Sequence, residues 1–257
     1  MAMRIALGVE YNGSDFNGWQ SQPDGRTVQD SIQRAISQIA SEPTSIIAAG
    51  RTDTGVHALE QVIHFDTSIV RPLSAWVRGT NALLPPNIAI LWAHPVPDEF
   101  HARFSAQARS YQYVLVNRPS RSAVHHGSVG WFHAPLDLNA MRTAAEYLLG
   151  EHDFSAMRAA ECQAKSPVKR LAQLAIEQRG DTFFFDFTAD AFLHHMVRNI
   201  VGCLVYVGKG KYPPIWMKEV LESKKRSLAA PTFAPDGLYL RRISYDAKWK
   251  LPQLHWG

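Results

Sequence analysis

The sequence predicts an α+β fold of two successive halves, each with the element order β-α-β-β-α-β. Three observations carry this reading. Strand-like alternation and helix-like spacing follow one another twice in the same order. Glycines and prolines punctuate the chain without building a low-complexity linker. Near residue 100 the apolar pattern thins out at Pro95, Pro97, Asp98 and Glu99, which places a boundary between residues 1–105 and 106–257. Such an order is that of the split βαβ, ferredoxin-like or RRM-like unit. The halves are expected to pack as one unit, sheets joined, with a cleft between them, a common place for a site.

In the first half, Ile5, Leu7 and Val9 alternate with Arg4, Ala6, Gly8 and Glu10, the period of a half-buried strand. Val28, Ile32, Ala35, Ile36 and Ile39 then recur at helical spacing behind a Thr27/Asp30 capping pair. Strands are expected at 45–49 and 61–66, a helix from Leu73 to Leu83 that ends before Pro85-Pro86, and a strand at 88–96. The second half opens with a strand at 111–117 and a helix at 138–149. It continues with a hairpin of 171–177 and 182–188 turned at Arg179-Gly180-Asp181, a helix at 193–207, and a last strand at 238–243. The halves share no evident sequence repeat, so any symmetry is one of architecture.

Charge and cysteine usage narrow the setting. Lys plus Arg total 27 against 23 Asp plus Glu, and the pI is about 9.1, a mild basic excess that suits a polyanionic partner without requiring one. The one dense run, Lys224-Lys225-Arg226, reads as a solvated helix end. Cys162 and Cys203 are too few and too far apart for a disulfide framework, and no apolar stretch approaches the ~20 residues that cross a bilayer. A cytoplasmic protein that engages no membrane is the expectation.

The most informative stretch is Gly50-Arg51-Thr52-Asp53-Thr54-Gly55-Val56-His57-Ala58. It sets one carboxylate, Asp53, in a glycine-bracketed turn between two apolar runs, and Gly55 can adopt backbone angles closed to other residues. One carboxylate needs a partner. In the helix expected from Leu193, the residues Leu193, Met196, Val197, Ile200 and Leu204 form an apolar stripe, leaving Arg198 on the adjoining polar face with His194 and His195. A guanidinium grips a carboxylate through two hydrogen bonds.

Around this turn stand Gly18-Trp19-Gln20, Thr27-Val28-Gln29, Asn81-Ala82-Leu83-Leu84-Pro85, Phe100-His101-Ala102-Arg103-Phe104-Ser105-Ala106, Phe192-Leu193-His194-His195-Met196-Val197-Arg198-Asn199 and Gly237-Leu238-Tyr239-Leu240. Together they resemble the bacterial tRNA pseudouridine synthase A family, from the first strand to the last. The resemblance implies that Asp53 is the catalytic carboxylate and Arg198 its partner. It implies that Tyr111 stacks on the uracil and takes part in removing the C5 proton, that Leu238 lines the base pocket, and that Arg51 assists flipping of the nucleotide. It further implies a substrate, positions 38, 39 and 40 of the tRNA anticodon stem-loop, and a homodimer. The reaction implied is an isomerisation needing no cofactor and no metal, and the sequence carries neither a glycine-rich phosphate loop nor a His-Glu-x-x-His motif.

Phosphate contacts are expected from Arg103, Arg109, Arg118, Arg158, Lys165 and Arg170 around the cleft, although each also reads as a solvated charge. His194 and His195 are expected to shape the site around Arg198. Adjacent histidines diverge on a helix and so suit one metal poorly, and His125-His126 read as loop residues. The chain departs from the family at Thr54 (usually Ala), Ser110 (commonly Arg), Asp190 (usually Asn) and Phe233 (usually smaller), none of which removes a catalytic group. Asp53-Thr54-Gly55 also spells the aspartic-protease signature, but that chemistry needs two carboxylates sharing a proton and this chain has one such triplet. A protein that binds RNA without catalysis is the other reading; it lacks the aromatic-rich RNA-binding strand signature.

Overall fold

The computed structural model describes residues 3–254, an α+β chain in two compact units. One unit holds the residues up to Gln107 together with those from Leu240 onward; the other runs from Ala108 to Tyr239.

In the first unit, β1 (Met3–Tyr11) is the centre of the sheet. It pairs antiparallel with both β3 (His57–Thr67) and β4 (Ile88–Val96). The spatial order is β4-β1-β3-β10, with the short β2 (Ile47–Ala48) also on β3 and β10 spanning Leu238–Tyr245. Residues Ile5, Ala6, Leu7 and Val9 of β1 are all fully buried, so the half-buried alternation expected from sequence is not what forms. The second face is covered because its residues are small. A Cβ on Gly8 would sit within 2.2–2.8 Å of the Trp92 indole, which lies across that glycine.

The helix α1 (Val28–Ala40) starts where expected: the Thr27 hydroxyl accepts the Asp30 N–H, and Ser41 ends the helix at φ 57. The segment expected as one helix from Leu73 contains a π-helical turn, Ala75–Gly79, before α2 (Thr80–Leu83). It buries Trp76 against Phe65, ring centroids 5.1 Å apart.

The last strand was expected in the second half, yet from Leu240 onward the chain belongs to the first. Its anchors there are specific. Tyr245 donates its hydroxyl to the Ala102 carbonyl at 2.6 Å, and Phe100 meets the rings of Tyr245 and Trp249 at 5.3 and 5.4 Å.

The second unit carries the strand order β5-β9-β8-β7, from β5 (Ala106–Asn117), β7 (Gly150–Asp153), β8 (Val168–Arg179) and β9 (Thr182–Ala189), with β6 (Gly130–Phe132) parallel to β5. The expected hairpin forms about Gly180, at φ 60. Phe183, Phe185 and Phe187 alternate along β9 and are fully buried, the period-2 signature of one strand face turned to a core. Three helices cover the unit: α3 (Leu138–Glu146), capped by Asp137; α4 (Met196–Gly208); and α5 (Trp216–Ser223), which the sequence reading missed because it is only eight residues long and follows Pro213-Pro214. Helix α4 is buried on nearly every side rather than amphipathic. Gly202 permits this, since a Cβ there would lie 2.3 Å from the Pro231 carbonyl oxygen. Among the described residues no helix is long and apolar enough to cross a membrane.

Candidate active site

The Asp53 turn is held from below by backbone. Helix α1 donates the N–H groups of Val28 and Gln29 to the carbonyls of Gly18 and Trp19, at 3.2 and 3.1 Å. Trp19 in turn gives its own N–H to the Thr52 carbonyl at 3.0 Å, and the Tyr11 and Thr52 hydroxyls meet at 2.8 Å. Val56 closes the turn with an N–H to the Asp53 carbonyl at 3.1 Å, and Gly55 takes the expected positive φ, 79. Two glycines outside the turn make this possible. A Cβ on Gly18, itself at φ 80, would lie 2.9 Å from the Thr52 carbonyl oxygen, and one on Gly13 would lie 2.0 Å from that of Val56. The three quoted motifs around residues 18, 27 and 52 are therefore one hydrogen-bonded assembly.

The assembly buries Thr52 and leaves Asp53 half-buried, with Arg51 and Thr54 exposed. Buried His57 accepts the Gly13 N–H on Nδ1 at 3.0 Å, which requires that nitrogen to be unprotonated. Arg103, in the same unit, lies over the exposed Phe104 ring at 5.7 Å.

The other expected site residues belong to the second unit. Tyr111 and Tyr113 share a face of β5 but differ in role. Tyr113 is fully buried and donates its hydroxyl to the Ala234 carbonyl at 2.9 Å; burial, and then Asp236, push that phenol well above its ordinary range. Tyr111 is half-buried, with Phe192 edge-on at 5.0 Å. Arg198 stands in the first turn of α4. Its Nε–H donates to the Phe233 carbonyl at 2.9 Å, and the Phe233 N–H returns to the Arg198 carbonyl at 3.2 Å, so the plane of the guanidinium is set by the segment that follows α5. Leu238, at the end of that segment, is 5% exposed.

Sequence reasoning missed the residue that ties this segment down. Asn199 is fully buried; its Nδ2 donates to the Met157 carbonyl at 2.8 Å, and its Oδ1 accepts from Thr232 at 2.7 Å and from Arg226 at 3.1 Å. Arg226 also donates to the Ala230 carbonyl at 2.8 Å. The run Lys224-Lys225-Arg226 is thus not merely a solvated helix end: Lys224 pairs with Asp153 at 3.2 Å, and Arg226 bridges into the core beside Arg198. Side-chain identity alone carries no mark of this.

His194 and His195 do not lie on the helix, as had been expected. His195 adopts φ 62 and immediately precedes α4, a left-handed turn that starts the helix at Met196 and brings the two imidazoles together, centroids 4.0 Å apart. The divergence argued from helical geometry therefore does not apply to them. The His194 N–H donates to Cys162 Sγ at 3.4 Å; burial pushes that thiol up, but the N–H groups of Ala164 and His194 and the Arg158 cation prevail and hold it below its ordinary value.

Of the basic residues, Arg109 donates to the Asp190 carbonyl at 2.9 Å, Arg118 pairs with Asp181 at 3.4 Å and Arg158 donates to the Cys162 carbonyl, so all three have work inside the fold. Asp190, a departure from the resemblance, accepts the N–H groups of Arg170 and Ala191, which a carboxylate does as well as an amide.

The family profile described as tRNA pseudouridine synthase matches residues 8–105 and 144–246. The chain belongs to the tRNA pseudouridine synthase family. As a member it is an RNA-modifying isomerase. It is 58% identical to tRNA pseudouridine synthase A of Dechloromonas aromatica over 97% of this chain and 95% of that one. Identity is also 58% to the same-named protein of Methylobacillus flagellatus, over 97% and 96%, and 57% to that of Burkholderia mallei, over 99% and 94%. Among solved structures, an archaeal box H/ACA sRNP Nop10-Cbf5 complex aligns at a TM-score of 0.38 and 10% identity over 88% of this chain and 59% of that one, a likeness too slight to bear on the fold. Of the residues expected at the site from sequence, Asp53 and Arg51 fall in the first matched segment and Arg198 and Leu238 in the second, whereas Tyr111 lies between the two.

Proposed function

We propose that this protein converts uridine to pseudouridine at positions 38, 39 and 40 of the tRNA anticodon stem-loop, with Asp53, Tyr111 and Arg198 as its catalytic residues and no cofactor. The observation that carries the reading is the backbone assembly that fixes the Asp53 turn through Gly18, Trp19 and Thr52 in a chain of this family. A carboxylate presented by a turn with so little freedom is preorganised for one position of substrate.

In this reading the target nucleotide leaves the stack and Asp53 acts on it, either by covalent attack or by removing a sugar proton. The N1–C1′ bond breaks, the base turns, and C5 joins C1′; the proton lost from C5 is balanced by one gained at N1. Arg198 is assigned to pair with the Asp53 carboxylate through its planar fork; its Nε–H bond to Phe233 fixes the plane of the guanidinium. Tyr111 stacks on the uracil and assists at C5, Leu238 lines the base pocket, and Arg51 assists flipping. Arg103, Arg109, His194 and His195 contact the RNA around the base. Two copies act as a homodimer, which sedimentation at micromolar concentration checks as about twice 28.8 kDa.

The decisive experiment is Asp53→Asn on unmodified tRNA, with pseudouridine mapped at single-nucleotide resolution. The expected result is wild-type signal at 38–40, none in the variant, and tRNA affinity within about tenfold, because phosphate contacts carry most of the binding. Retained turnover in the variant would falsify the mechanism. Signal at other tRNA positions would overturn the site specificity.

A further inference from the structure

At the far end of α4 from Arg198, about 16 Å along the helix axis at 1.5 Å per residue, lies a cluster the proposed chemistry does not use. Tyr206, Tyr212 and Trp216 form a half-buried aromatic strip: Tyr212 stacks on Trp216 with centroids 4.2 Å apart and planes 18° from parallel, and Tyr206 lies 6.3 Å from Tyr212. Two exposed lysines lie on the strip. The Lys209 ammonium is 4.2 Å from the Tyr206 ring and 5.8 Å from that of Phe132, and the Lys211 ammonium is 4.3 Å from Tyr206 and 5.3 Å from Tyr212.

In this unit Lys218 pairs with Glu222 at 3.7 Å and Lys224 with Asp153 at 3.2 Å, while Lys169 donates to the carbonyls of Ser166 and Val168. Lys209 and Lys211 have no carboxylate within salt-bridge distance among the described residues. Asp137, whose N–H reaches the Gly208 carbonyl, uses its side chain to cap α3. The C-terminal dipole of α4 accounts for one cation at this place. It does not account for two cations converging on one phenol ring beside a stacked, partly open aromatic pair. Cations interleaved with aromatic faces are the chemistry of nucleic-acid backbone recognition: the ammoniums meet phosphates, and the rings meet riboses or unstacked bases.

We propose that the cluster of Phe132, Tyr206, Lys209, Lys211, Tyr212 and Trp216 is a tRNA-docking surface, on which the phosphate backbone of the substrate is held by Lys209 and Lys211 away from the reacting nucleotide. This rests on tRNA being the substrate. It makes the surface a determinant of affinity and not of the chemical step.

The test compares wild type with K209A/K211A on full-length unmodified tRNA, measuring KM, kcat and equilibrium binding by filter retention from low to moderate salt. The double variant is expected to raise KM and Kd roughly tenfold at low salt, to leave kcat unchanged, and to lower the slope of log affinity against log salt by about 2, for two lost phosphate contacts. K209R/K211R should restore both affinity and slope. K218A/K224A, with the same change in net charge, should match wild type. An unchanged Kd and slope in K209A/K211A, or an equal loss in K218A/K224A, would overturn the surface. Both lysines are exposed, and a circular dichroism melt confirms that the variants are folded. Because binding is read without turnover, the surface is judged even if wild type forms no pseudouridine, a result that would instead sink the functional reading.

Discussion

Trp19 gives its backbone N–H to the carbonyl of Thr52 at 3.0 Å, and through that single bond the start of α1 fixes the residue next to Asp53. The contact exists because Gly18 stands beside it at φ 80, where a side chain would press on the Thr52 carbonyl.

Gly18→Ala should therefore destabilise the first unit by about 1–2 kcal/mol, the usual cost of a left-handed L-residue, and displace the Asp53 turn. Thermal melts should show a lower Tm, and kcat should fall by more than KM rises, since a misplaced carboxylate harms the transition state before it harms RNA binding. A variant with wild-type kcat would show that the turn tolerates displacement.

Arg198→Lys tests the proposed grip on Asp53. An ammonium keeps the charge, but it loses the planar fork and cannot reproduce the Nε–H bond to Phe233. Turnover should drop by about a hundredfold, near 3 kcal/mol of transition-state stabilisation, with Tm little altered. Full activity in this variant would place Arg198 outside the chemistry.

Asn199→Leu should separate positioning from catalysis. It removes the acceptor of Arg226 and Thr232 and the donor to the Met157 carbonyl, leaving buried polar groups unmatched at a cost of about 2 kcal/mol. Urea unfolding should register the loss. Arg198 would lose its support from the 230–233 segment, so activity should decline at temperatures where the variant is still folded.

His64 makes stability depend on acidity. The ring is buried, and Nδ1 accepts the Ala102 N–H at 3.1 Å. Burial first, then Arg4 and His101, lower its pKa to about 4 from 6.5, with Asp66 opposing. Between these values the unfolded chain binds a proton that the native state refuses, so stability is full above about pH 6.5 and declines as pH falls toward 4, with no further loss from this group below that. The full loss should be about 3 kcal/mol, of which about 2 kcal/mol falls between pH 7 and pH 5. Urea midpoints at pH 7 and 5 should differ accordingly, and less so in His64→Gln. Equal slopes in the two proteins would assign the acid sensitivity to other groups.

Much of the local structure was legible in the sequence because it depends on neighbours in the chain. Thr27 and Asp30 cap α1, Gly55 takes its positive φ, Gly180 turns the hairpin and Ile88–Val96 forms a strand, each dictated by side-chain spacing and backbone freedom within a few residues. The motifs around Asp53 and Arg198 were enough to place the chain in its family. What lay beyond reach depended on residues distant in sequence. Covering the second face of β1 needed Trp92 to lie over Gly8, and Arg226 gained its role only when folding brought it to Asn199. His195 left the helix because a left-handed turn was required there. The final segment joined the first unit because Tyr245 and Trp249 found Phe100 and Ala102 there. Propensity and periodicity are properties of short windows, whereas burial, packing partners and hydrogen-bond satisfaction are decided by which surfaces meet once the chain has folded.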